Sequence, residues 1–216
     1  MKNSETVLYK ELSQLKIQQK FVDSLLIDFE QQTAQFKTLD QQEAKLQKNK
    51  NLLYETEIIY GLAFGHSKLA IKDFLGFYNF INNNVNFLDY DRNSDILHLI
   101  SEKALVIIYS IRFVNKKYSK IITDLKKITS INLVLVTSNK NVQNDIFVVV
   151  FFVNNPMKYQ DFYKIDYYIG PLNTFLTFNN YLKSSIFNDN KDYLCRNKKF
   201  VKETAGWIDY QEAVDI

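Results

Sequence analysis

Apolar residues recur at every seventh position near the start of the chain, at Leu8, Leu15, Val22, Phe29 and Phe36, flanked by Leu12 and Leu26 on one side and Leu25 on the other. Residues 4–60 contain neither Gly nor Pro and are rich in Leu, Lys, Glu, Gln and Ala, all good helix formers. The pattern predicts a long helical segment with a continuous apolar seam. The seam then changes phase, because Leu39, Leu46 and Leu53 keep the spacing of seven but begin three residues after Phe36. A continuous coiled coil would carry a stammer there. Asp40 followed by Glu43 resembles a capping box, which would instead end one helix near Lys37 and begin a second at Asp40. An intermolecular coiled coil and an intramolecular helix pair both fit. In the first case Leu8, Leu15, Val22, Phe29 and Phe36 are the partner-binding positions and a homodimer or a partner helix is expected.

Beyond residue 60 the periods shorten. Gly61 and Gly65 punctuate the chain, and Ile71, Phe74, Leu75, Tyr78 and Ile81 fall at helical spacing over residues 69–81. Residues 85–90 read as a short extended piece and 95–102 as a short helix. Residues 104–114 (ALVIIYSIRFV) read as a buried strand, followed by a helix with Tyr118, Ile121, Ile122, Leu125 and Ile128 on one face and Lys116, Lys117, Lys120, Lys126 and Lys127 on the rest. With a strand at 131–137 these make a βαβ unit. Residues 146–153 are apolar without alternation, which predicts a strand covered on both faces. It is expected at the centre of the sheet and antiparallel to the strand before it. Gly170 and Pro171 would close a short edge strand at 167–172, and Phe175, Phe178, Leu182 and Ile186 predict a last helix over 174–187. The expected fold is α+β, or α/β. It has a helical segment at 1–60 (coiled coil or helical hairpin), a mixed β-sheet domain with covering helices at 61–187, and a polar basic tail at 188–216.

Composition changes this picture little. A chain of 216 residues, 46% hydrophobic and 15% aromatic, has the makings of a folded core. The 27 basic and 24 acidic residues leave a net charge of +3, too weak to draw nucleic acid or an anionic membrane by its overall field. The single cysteine, Cys195, excludes an internal disulfide framework and a multi-thiolate zinc site, so an intracellular, cytoplasmic home is expected. No secretory signal is visible at the first residues, although a trimmed one would leave the same sequence. The longest apolar run falls far short of the roughly 20 residues of a membrane-spanning helix.

The stretch from Ser94 to Lys140, SDILHLISEKALVIIYSIRFVNKKYSKIITDLKKITSINLVLVTSNK, resembles the first βαβ half of a thioredoxin-like domain. Where that family carries Cys-x-x-Cys, this chain has Ile111-Arg112-Phe113-Val114-Asn115. The resemblance therefore implies a redox-inactive, ligand-binding domain. A helical rod followed by a compact domain ending in PLNTFLTFNNYLKSSIF is also similar in plan to kinetochore and monopolin subunits with RWD-like ends.

Candidate chemistry is sparse. His66 and His98 lack a second ligand at metal spacing, and His98 sits among apolar neighbours as a packed helix residue would. Ser110 follows an apolar strand without the Gly-x-Ser-x-Gly elbow of a nucleophile. Asp89, Asp91 and Asp95, beside Tyr90 and Arg92, offer oxygen ligands for a cation but lack the EF-hand glycine and terminal Glu, so a solvated acidic loop is the plainer reading. Gly61 and Gly65 precede no Lys-Ser/Thr pair. In the tail, Lys191, Arg196, Lys198, Lys199 and Lys202 interleave with Tyr193, Phe200 and Trp207. There Lys198, Lys199, Lys202 and Trp207 are candidate nucleic-acid contacts, against the commoner case of an ordinary basic terminus. The expectation is a non-enzymatic assembly or adaptor protein without cofactor or metal. Its rivals are a cysteine-less thioredoxin-like domain, with a pocket beside Ser110, Arg112 and Asn115, and a nucleic-acid-binding accessory protein.

Overall fold

A computed structural model of the chain describes residues 37–92, 97–98, 100–114, 116–128, 130–142, 144–154 and 166–191, with the side chains of the last segment described from 172. The elements run α1 (Glu43–Glu55), β1 (Ile59–Ala63), α2 (Ser67–Tyr78), β2 (Val85–Leu88), β3 (Leu105–Tyr109), α3 (Lys116–Leu125), β4 (Asn132–Thr137), β5 (Val149–Phe152) and α4 (Asp166–Asp189). The strands form one five-stranded sheet in the order β2-β1-β3-β4-β5. Every neighbouring pair is parallel. The expected mixed sheet is therefore corrected to a parallel α/β sheet, which explains why so many of its residues are apolar without alternation: helices cover both faces.

Alternate strand residues serve two separate cores. On one face Ile59, Ala63, Leu105, Ile107, Tyr109, Val134, Val136, Val149 and Phe151 pack against α1, α2 and α4. On the other, Tyr60, Leu62, Val106, Ile108, Leu133, Leu135 and Val150 meet Tyr118, Ile121, Ile122 and Leu125 of α3. The centre of the sheet is β3, all five of whose residues are buried. The strand expected at the centre, in residues 145–154, is instead the edge strand β5, and it runs parallel to β4. Ile146 and Phe147 are not part of it. A 3-10 turn at Asn144–Ile146 brings the chain back to the starting end of the sheet, so the connection is a crossover and not a hairpin. An edge strand can be this apolar because α1 covers its outer side: the Gln42 side chain pairs with both the N–H and the C=O of Phe152 at 2.9 Å, and Lys45 Nζ donates to the Val150 carbonyl at 3.0 Å.

The described part of the heptad seam is core. Leu39, Leu46 and Leu53 are buried within the chain's own sheet layer, against the surroundings of Phe178 and Leu182. Lys50 is paired with Asp189 of α4 at 2.8 Å, and Tyr78 donates to the Leu53 carbonyl at 2.9 Å. Here the spacing of seven marks a helix packed on a sheet, not a coiled coil, and the turn before it lies at Gln41 and Gln42. Leu8, Leu15, Val22, Phe29 and Phe36 lie outside the described residues.

Two further expectations change. Gly61 is not punctuation but the middle of β1, where a Cβ would lie 2.6 Å from Leu75 Cδ1 and 2.7 Å from Ile71 Cγ1; only glycine lets α2 sit this close. Residues 167–172, read as an edge strand, belong to α4. Pro171 removes one hydrogen bond near the start of that helix. The buried ladder Phe175, Phe178, Leu182 and Ile186 holds the rest against the sheet. Among the described residues no helix is long and apolar enough to cross a membrane.

Candidate functional site

In an open parallel sheet, ligands bind outside the carboxyl ends of the strands, where neighbouring connections leave in opposite directions. In this chain that place is between β1 and β3, because β1 leads to β2 on one side while β3 leads to β4 on the other. The loops around it carry the polar residues of the sheet's carboxyl edge: Gly65 to Ser67 after β1, Asp89 to Arg92 after β2, Ser110 to Val114 after β3, and Ser138 and Asn139 after β4.

The loop after β3 is firmly built. Ser110 Oγ accepts the N–H of Phe113 at 3.1 Å, and Phe113 takes a left-handed backbone with φ 48°. The end of β4 then captures the loop's carbonyls. Thr137 Oγ1 and Ser138 Oγ donate to the carbonyl of Ile111 at 3.0 and 2.8 Å, and Asn139 Nδ2 donates to that of Arg112 at 2.9 Å. These bonds fix a turn that a side chain with positive φ would otherwise disfavour. Ser110 is thus a loop-forming serine at the switch point. The hydroxyl of Tyr118 reaches back to the Tyr109 carbonyl at 3.2 Å, and burial pushes its pKa up to about 12.

An aromatic row crosses the edge. Phe64 meets Tyr90 and Tyr118 at centroid distances of 6.2 and 4.9 Å, and Phe113 meets Tyr118 and Phe147 at 5.0 and 5.7 Å. Beside it lie two lysines, each the second residue of its helix: Lys68 of α2 and Lys117 of α3. Lys117 Nζ stands 5.4 Å over the Phe64 ring. The loop after β2 supplies the counter-charges. Asp91 bonds Lys117 with Oδ1 and Lys68 with Oδ2, both at 2.9 Å. Asp89 bonds Lys68 at 2.8 Å and Arg92 at 3.3 Å. The hydrogen bond from Lys117, then that from Lys68, holds the Asp91 carboxyl below its usual pKa. Hydrogen bonds to Asp89 and Asp91 raise that of Lys68.

Several sequence candidates are thereby placed. Asp89 and Asp91 come together as lysine partners, not as a cation site, and among the described residues no cluster of His, Cys, Asp or Glu could hold a metal ion. His66 is exposed at the head of α2 and His98 is exposed in a 3-10 turn. Ser110 and Arg112 do flank the switch point. The residues missed were Lys68 and, as a site residue, Lys117. Their only signal was an anomaly: cations in the first turn of two helices, where the macrodipole disfavours them. Lys198, Lys199, Lys202 and Trp207 lie outside the described residues.

The backbone was compared with solved structures. The sugar isomerase domain of an RpiR transcription factor from Sphaerobacter thermophilus matches with TM-score 0.67 at 12% identity, over 84% of this chain and 97% of that one. The fold is similar to that of this sugar isomerase domain. The Vibrio vulnificus NanR protein complexed with ManNAc-6P matches with TM-score 0.60 at 15% identity, over 83% of this chain and 66% of that one. A Methanococcus jannaschii protein with an inferred function of 3-hexulose-6-phosphate isomerase matches with TM-score 0.61 at 14% identity, over 78% and 92%. No protein-family model and no curated protein matches the sequence. The likeness corrects the thioredoxin-like resemblance of residues 94–140: the βαβ unit is real, but two more parallel strands, β1 and β2, precede it and extend the same sheet. The RWD-like plan, which needs a run of antiparallel strands, falls with it. The adaptor expectation is overturned as well, since the similar structures are sugar isomerase domains and sugar-phosphate proteins.

Proposed function

We propose that this chain binds a small phosphorylated ligand of the sugar-phosphate class at the carboxyl edge of its sheet, between β1 and β3. The observation that carries the reading is the pair of first-turn lysines, Lys68 and Lys117, joined through Asp91 at the switch point, with Lys117 over the Phe64 ring. Helix N-termini attract anions through their unpaired N–H groups and dipoles. Lysines added there suit a phosphate, and half-buried aromatic rings suit the apolar face of a sugar. The neighbouring folds support the class, since one of them is complexed with ManNAc-6P and another has an inferred hexulose-phosphate isomerase function.

Binding asks less of this site than isomerisation does. Moving a proton between adjacent sugar carbons needs a general base whose pKa lies near neutrality. Among the described residues the carboxylates at this edge, Asp89 and Asp91, are both engaged with lysines, and Asp91 is shifted away from neutrality, so the side chain at this edge whose type suits a base is His66, exposed at the head of α2.

The test is calorimetric titration of the full chain with ManNAc-6P, with the same sugar lacking the phosphate, and with inorganic phosphate. Binding of the phosphorylated compounds, weakened by salt and weakened about tenfold by Lys117→Met, is expected. Equal binding of the sugar with and without its phosphate, or no binding of any of the three, would sink the reading.

A further inference from the structure

We infer that Asp91 is a resident anion in the ligand site, and that an arriving phosphate displaces it from Lys68 and Lys117 and so releases the loop that follows β2. The inference rests on the binding reading above and assigns its regulation.

Two cations in the first turns of α2 and α3 oppose the helix dipoles. A single carboxylate offsets both: Asp91 gives one oxygen to each lysine at 2.9 Å, joining the two helices across the crevice between β1 and β3. This is the bridging position that an anion bound between the two helices would take. Asp91 holds it imperfectly, with one charge and two oxygens. A phosphate monoester carries about −1.5 to −2 charges and three acceptor oxygens, so it can serve both lysines with an oxygen to spare.

The exchange also has a way to proceed. The Asp91 side chain is 34% exposed, so solvent and ligand reach it. Lys68 keeps a partner when Asp91 leaves, because Asp89 holds it independently at 2.8 Å. The loop after β2 would then keep the Asp89–Lys68 pair and the Tyr90–Phe64 ring contact, while its link to α3 through Lys117 is broken. Ligand occupancy is thus converted into freedom of residues 91 and 92, the mark of a site that reports on its ligand.

The test compares the unaltered full chain with Asp91→Asn, titrated with inorganic phosphate and with ManNAc-6P. Removing the internal competitor is expected to tighten binding of both by about tenfold, since the competent state no longer has to be freed first. Asp124→Asn removes the same charge near the far end of α3, where it pairs with Lys127, and is expected to leave the affinity unchanged. If the unaltered chain binds and Asp91→Asn binds equally or more weakly, the displacement is wrong while sugar-phosphate binding stands. If neither chain binds any phosphate, both fall. Should Asp91→Asn fail to fold, the carboxyl carbon of Asp91 in the unaltered, 13C-labelled chain decides. Its resonance moves as phosphate saturates the site, or, if it stays in place, the inference is overturned.

Discussion

The hydroxyl of Tyr109, at the carboxyl end of the central strand, donates to Oδ1 of Asn179 on α4 at 2.7 Å, with both side chains fully buried. The Asn179 amide nitrogen passes the chain of bonds on, to the Ala70 carbonyl at 2.7 Å and to Asp73 Oδ2 at 2.8 Å. Asp73 is in turn gripped by Lys183 at 2.7 Å. A polar network inside an apolar layer fixes the register of α2, β3 and α4 against one another, because each group must find its one partner. Replacing Asn179 with Ala leaves the buried Tyr109 hydroxyl without its acceptor and takes one hydrogen bond each from the Ala70 carbonyl and Asp73. The expected loss is about 2–4 kcal/mol, read from the denaturant midpoint; a loss under a few tenths would mean that water or repacking takes over.

Helix α1 belongs to the sheet, and its seam leucines should behave as core. Leu53→Ala is expected to destabilise the whole chain by about 2–5 kcal/mol. A chain begun at Gly61 would lose α1 and the first two residues of β1, and is expected to give no cooperative melting transition in circular dichroism. A truncated chain that melts as sharply as the full one would return the seam to the role of an independent rod.

Gly61→Ala places a methyl group against Leu75 and Ile71, both buried and held by the sheet beneath them. The overpacking is expected to cost about 1–3 kcal/mol. Gly76, where nothing lies within 4 Å of an added Cβ, is the control. Ala there should be neutral or slightly stabilising because it favours the helix.

Alkali should unfold this protein through its tyrosines. Burial raises the pKa of Tyr118 to about 12, and burial likewise raises those of Tyr78 and Tyr109. Unfolded tyrosines ionise near 10. A raised folded pKa stabilises the fold at every pH below about 10, and this contribution fades as the pH climbs through 10 towards 12. Tyrosinate absorbance should therefore lag behind free tyrosine and then rise together with loss of the circular dichroism signal. Smooth titration near 10 with the fold intact would contradict the burial.

The parts of the fold that were legible in the sequence are those whose pattern is local. The lysine-striped α3 and the apolar strands on either side of it could be read because periodicity alone defines them. What was missed depended on neighbours. β1 was hidden because Gly61 looks like a turn until the closeness of α2 explains it. β5 was misplaced because an edge strand shielded by Gln42 and Lys45 has the composition of a central one. The site was half visible: Ser110, Arg112, Asp89 and Asp91 stood out as loop residues. Lys68 stood out in no pattern, since its meaning comes from a helix start and from a carboxylate in another loop.

The Gln42 amide treats Phe152 as a sixth strand would, offering one donor and one acceptor to the open edge of β5. With Lys45 on the Val150 carbonyl, two side chains thus close the sheet on that side. Among the described residues, strand addition by another chain is obstructed at β5, and the sheet's other margin is β2.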